Sequence, residues 1–185
     1  MPTVADDNVV AEDLVMEQKV TLHYSEPLPP NFVRFGEGLL AGKFIGARCP
    51  SCGRVYVPDR GYCPLCAVMM SAADELEVDD KGVVASYTVI TPVNYYGQTK
   101  TEPFVFASIL LDDTTTVMRG QDITGIPTEQ VHAGLRVAAV WLPPEERTLE
   151  GISARGGASL EGSVTSFAPT GEPDLSEDAY RGYEF

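Results

Sequence analysis

Residues 48–66 read RCPSCGRVYVPDRGYCPLC and hold all four cysteines of the chain, Cys49, Cys52, Cys63 and Cys66. A CxxC pair can turn two sulfurs toward one centre. Two such pairs, separated by ten residues, supply the four thiolates that a closed tetrahedral zinc site takes, and a four-thiolate iron site uses the same ligands. Gly53 provides backbone freedom after the first pair, while Pro50 and Pro64 stiffen the two turns. A lone CxxC would point to thiol redox chemistry, but a second copy at this range makes a shared metal the simpler reading. Cysteines confined to one short segment do not staple a secreted domain, and no thiol is left over. Four protein ligands leave no open position for water or substrate, so the metal is expected to be structural.

Upstream, Phe32, Phe35 and Leu39 recur at three- and four-residue spacing with Leu40 and Phe44 beside them, which predicts a short amphipathic helix over 31–42 behind an Asn31 cap. Gly36, Gly38 and Gly42 weaken it by about 1 kcal/mol each relative to Ala. Such a helix must be held by packing, against its own body or a partner. Before it, Pro27, Pro29 and Pro30 form a stiff linker, and the alternation of Val20, Leu22 and Tyr24 predicts a short strand.

Downstream the period becomes two. The runs 82–90 (GVVASYTVI), 104–111 (FVFASILL), 115–119 (TTVMR) and 135–142 (LRVAAVWL) are β-branched, aromatic or apolar and end at Gly, Pro or Asp. Asp112, Asp113 and Thr114 form the turn between the second and third, residues 91–103 make a longer loop, and 163–167 is expected to add an edge strand. Strands this short, in so few residues, close as a small barrel or a thin sandwich. The chain divides into an acidic extension with a strand (1–30), helix and metal segment (31–80), β body (81–167) and an acidic tail (168–185) whose Tyr180, Tyr183 and Phe185 are either free or anchored on a partner.

A chain of 185 residues with 44% hydrophobic and 22% charged residues buries a core unaided. Its net charge of −14 opposes polyanion binding, and the two ends carry most of the excess acid. Long apolar runs and a basic leader are both absent, so a cytoplasmic setting without a membrane is expected. Catalytic pairings are missing: His23 and His132 are isolated, Asp112, Asp113, Glu145 and Glu146 fall in turn-like settings, and the GxSxG, GxxxxGK[ST] and HExxH motifs do not occur. Around the cysteines, Lys43, Arg48, Arg54 and Arg60 interleave with Tyr56 and Tyr62. They read either as solvated charge or as a site for one nucleotide with a few phosphates, such as coenzyme A.

The string FVRFGEGLLAGKFIGARCPSCGRVYVPDRGYCPLC, with the GVVASYTVI strand behind it, resembles the DUF35 family over about Phe32 to Leu142. The resemblance implies a mainly β fold: a short N-terminal helix and a rubredoxin-like zinc ribbon followed by an OB-fold barrel. It also implies a non-catalytic accessory subunit whose partner is a thiolase-like enzyme, either an acyltransferase or a steroid side-chain aldolase, working on an acyl-CoA. Lys43, Arg48, Arg54 and Arg60 are then candidates for the CoA phosphates. A single-stranded nucleic-acid module with a zinc ribbon is the rival reading, and the acidic charge opposes it.

Overall fold

The structure, a computed structural model, describes residues 18–23, 25, 27–93, 101–149, 152–153, 157–158, 160 and 162–182. Helix α1 (Pro30–Leu40) starts one residue before the predicted Asn31 cap, with Pro29 as the capping residue. Asn31 lies in the first turn instead and donates to the Asp59 carbonyl, tying the helix to the cysteine segment. The helix ends earlier than predicted because Gly42 adopts φ +76°. Its N–H reaches the Leu39 carbonyl while that of Lys43 reaches Gly38, a pair of bonds that closes a helix through a left-handed glycine. Phe35 and Leu39 are fully buried, so the partner the weak helix requires is its own body.

Strands β1 (Phe44–Arg48), β2 (Val55–Tyr56), β3 (Tyr62–Cys63) and β4 (Val68–Met69) frame the cysteines. β5 (Glu75–Val78) returns beside β1, giving a three-stranded sheet in the order β2-β1-β5, with β3 and β4 as a separate hairpin. Glu75 and Glu77 on β5 meet Arg34 of the helix and Lys43. Helix and sheet are thereby joined on one side by charge and on the other by the core.

The predicted run of strands appears as β6 (Lys81–Ile90), β7 (Phe104–Leu111), β8 (Val117–Gln121) and β9 (Arg136–Trp141). Two-residue strands β10 (Ile152–Ser153) and β11 (Gly157–Ala158) precede β12 (Val164–Pro169), which is an edge strand as expected. The sheet runs β12-β9-β6-β7-β8, all antiparallel. It curls until its ends meet at one parallel bridge, Ile123 with Phe167. Phe167 N–H donates to Asp122 and its carbonyl accepts from Thr124. Between β7 and β8, Asp113 sits at φ +59°, a conformation Asp tolerates better than most residues.

Helix, β1–β2–β5 sheet and curled sheet share one core: Phe35, Phe44, Val55 and Val78 pack in the same cluster as Val84, Ile109, Val137 and Phe167. The junction is reinforced by Arg147, which donates to the carbonyls of Leu142 and Leu40 and lies 5.4 Å from the Trp141 ring centroid. Trp141 in turn packs at 4.9 Å on Phe44 and donates to Asp80.

Two expectations fail. Residues 20–23 form no strand, and Val20 and Leu22 stand exposed: alternation permits a strand, but without a partner strand or a packed face it does not make one; Tyr24 lies outside the described residues. The tail, read as free or partner-bound, is strapped to its own body over residues 170–182. Arg136, nearly buried, grips Asp112 through two bonds of 2.6 Å and reaches Glu172, which also pairs with Lys81. His132 bonds Asp174, the Leu175 N–H donates to Gly134, and Tyr180 is buried with Val83, Ala85 and Leu110. Tyr183 and Phe185 lie outside the described residues.

Candidate metal centre

The two CxxC turns are built alike. Cys49 follows β1 and donates its N–H to Arg54 across the turn, Gly53 N–H reaches back to the Cys49 carbonyl, and Ala67 N–H does the same to Cys63. Each turn then closes on a left-handed residue, Gly53 at φ +74° and Ala67 at φ +52°. Alanine pays a steric cost there that glycine does not. Ala67→Gly is therefore expected to raise stability by about 1 kcal/mol, roughly 2–4 °C in Tm for a chain of this size. A thermal melt of the metal-loaded protein checks it, and a lower Tm would contradict the strain.

The four Sγ atoms lie within 4.8 Å of one another, with Cys49 and Cys63 buried, Cys66 half-buried and Cys52 exposed. Cys52 Sγ and Cys63 Sγ are 3.7 Å apart. A tetrahedron with metal–sulfur bonds of about 2.3 Å has edges of about 3.8 Å, so the donor set fits zinc. Met70, Ala47 and Tyr56 shield the buried side.

The protonation pattern of the sulfurs carries the same message. The Tyr56 hydroxyl, 3.1 Å from Cys63 Sγ, favours the thiolate and brings Cys63 down to about 6. Tyr56 itself rises to about 12, chiefly through burial and then through that bond. For Cys52 the Arg54 amide pulls downward, yet burial and hydrogen bonds with the three other sulfurs win, and it is pushed up to about 11. Four sulfurs this close do not all hold negative charge by themselves; a divalent cation removes the conflict.

All four predicted metal ligands come together, but the four cations do not. Lys43 precedes β1 whereas Cys49 follows it, a separation of about 20 Å along an extended strand, and Lys43 is bound to Glu77. Arg48 donates to the Gly53 carbonyl, Arg60 sits 5.9 Å from the Tyr56 ring centroid, and Arg54 lies on the first turn. Arg48, Arg54 and Arg60 have no carboxylate partner among the described residues. Arg48 lines two open grooves: one of about 450 Å³ beside the first turn, shared with Asp74 and Glu75, and one of about 410 Å³, shared with Glu77, Asp79, Asp112 and Asp113. Both are acidic and poorly suited to phosphates.

In sequence Tyr56 reads only as an aromatic interleaved with the cations, and its bond to Cys63 is not legible there. Nor is the setting of Asp59. Its Oδ1 accepts from Gly61 while the buried Oδ2 is unpaired, and burial pushes the acid above its usual value. Neither contact follows a motif; both depend on how the loop between the CxxC pairs folds back under α1.

Fold and site define a zinc-ribbon protein with an appended OB-fold. Residues 37–68 match the family described as "ChsH2, rubredoxin-like zinc ribbon domain" and residues 75–142 "ChsH2, C-terminal OB-fold domain". A "DUF35 domain-containing scaffold protein" of Methanocaldococcus jannaschii is 33% identical over 114 residues, 60% of this chain and 77% of that protein. This chain belongs to the DUF35 family. A DUF35-family crystal structure from Sulfolobus solfataricus, 28% identical, superposes with TM-score 0.50 over 60% of this chain and 78% of the other. The "Ltp2-ChsH2(DUF35) aldolase" structure gives TM-score 0.53 over 78% and 98%, at 20% identity, and thus shares the fold. No helix among the described residues is long and apolar enough to cross a membrane.

Proposed function

We propose that this chain is a non-catalytic, zinc-holding subunit of a complex with a thiolase-like enzyme, an acyltransferase or a steroid side-chain aldolase, acting on acyl-CoA thioesters. The closed four-sulfur centre carries the reading: with every coordination position filled by protein, the metal holds shape and polarises no substrate. Cys49, Cys52, Cys63 and Cys66 would hold the zinc, and Tyr56 would steady the Cys63 thiolate. The scaffold description of the archaeal relative and the aldolase title of the fold neighbour support an accessory role with a partner enzyme. Arg48, Arg54 and Arg60 are the cations we assign to the phosphates of a CoA moiety shared with that partner, Arg54 and Arg60 standing outside the two acidic grooves and Arg48 lining both; Lys43 is set aside because Glu77 already engages it. A cytoplasmic setting suits four reduced thiols.

Tagged protein expressed with the neighbouring genes of its cluster should co-purify a thiolase-like enzyme in near-stoichiometric amount, identified by mass spectrometry. Conversion of an acyl-CoA at enzymatic rate by the isolated chain would overturn the reading.

A further inference from the structure

Asp59 joins helix α1 to the ribbon and is also an acid with nowhere to place its charge. It lies on the loop between the CxxC pairs and is 2% exposed. Its carbonyl accepts from Asn31 in the first turn of α1 at 2.7 Å. Its Oδ1 accepts from the Gly61 N–H, also at 2.7 Å, closing a tight side-chain turn that Gly61 completes at φ +74°. The Gly61 carbonyl in turn accepts from Met70, so the turn is anchored to the second cysteine hairpin. Oδ2 is buried without a hydrogen-bond partner among the described residues.

The charged groups that face Asp59 do not balance it. They are Arg34 on α1, Glu75 on β5 and Asp74 in the turn before β5. Arg34 is engaged by Glu75 at 2.5 Å, and the Asp74 carboxylate is held by Ser71. Arg60, next in the chain, stands over the Tyr56 ring. An ionised Asp59 would therefore be a buried charge beside two other carboxylates, whereas the neutral acid leaves at most one hydroxyl unpaired, a much smaller cost. Burial raises the acid above its ordinary 3.8, and the Gly61 bond, which pulls the other way, does not cancel it.

We infer that Asp59 is a protonation latch: as the neutral acid it stays under α1 and holds Asn31, and on losing its proton it turns toward water and frees the first turn of the helix. The sign follows from linkage. With the folded value raised, the contribution is complete below 3.8 and is lost as pH rises through Asp59's own value. The latch does not depend on the enzyme partner proposed above.

Carboxyl-carbon NMR of the full-length, metal-loaded chain tests this, with metal content checked at each pH. The Asp59 carbon should keep its neutral-acid shift after exposed aspartates have ionised. In urea titrations the folding constant should fall, relative to Asp59→Asn, by about tenfold per pH unit between 3.8 and the Asp59 midpoint, then level off. The amides of Phe32 and Val33, bonded to the Pro29 carbonyl, should lose protection from hydrogen exchange over the same range, beyond the intrinsic rise with pH, and keep it in Asp59→Asn. An Asp59 carboxyl already ionised at the lowest pH at which the metal is retained overturns the proposal, and this readout needs no variant to fold. So does a raised midpoint with unchanged exchange in α1, which would leave a buried acid that latches nothing.

Discussion

Cys63→Ser is expected to strip the metal from the protein and lower its Tm by roughly 10 °C or more. Structural zinc contributes on the order of 10–16 kcal/mol of apparent binding energy in small zinc peptides, and much of that is folding energy. Cys63 is the sharpest place to test this, since it is fully buried, carries the Tyr56 hydrogen bond and begins the second turn. The damage should spread beyond the ribbon. Val55 and Val57, on the strand and loop between the two CxxC pairs, sit in the same cluster as the OB-fold core, so freeing that segment opens the larger domain. Elemental analysis should fall from about one zinc per chain to near none. An unchanged melting curve together with retained metal would refute a structural site at these residues.

Ending the chain after Thr170 should cost about 2–3 kcal/mol, chiefly the lost burial of Tyr180, or roughly 5–10 °C in Tm, although every strand of the curled sheet is kept. The loss has two parts. Tyr180 no longer covers Val83, Ala85 and Leu110. Arg136, whose side chain is only 10% exposed, keeps Asp112 but loses Glu172. The strap also has a pH window. Lys81 and then Arg136 hold Glu172 below its ordinary value of 4.5, so its contribution is present above that value and lost as pH falls through the depressed one. Asp174 lifts His132 above 6.5, so that contact is complete below 6.5 and fades as pH rises through the raised value. The stability gap between full-length and shortened chains should thus be widest at mildly acid pH, as urea titrations across pH would record. Equal melting temperatures for the two chains would show that the strap contributes nothing to the fold.

The same strap marks a boundary of sequence reading. Acid and aromatics near a terminus describe a solvated tail and an anchored one equally well. The distinction rests on Arg136, whose arginine character says nothing of Glu172 thirty-six residues away. The helix shows the opposite case. Its Phe and Leu spacing announced a buried face and its glycines announced dependence on packing, and both hold; only the ends moved, since Pro29 and Gly42 set them through backbone geometry.

By itself the sequence determined that four cysteines cluster and that strands β6 to β9, with β12 at the edge, follow them along the chain. Cysteine spacing is local chemistry, and a period of two is written in adjacent residues. Tertiary structure alone decided that ribbon and OB-fold share one core, that β5 joins the ribbon sheet, and that Tyr56 serves Cys63. These are contacts between residues remote in the chain, fixed by which surfaces remain to be covered once local elements have formed, and no short pattern encodes that remainder.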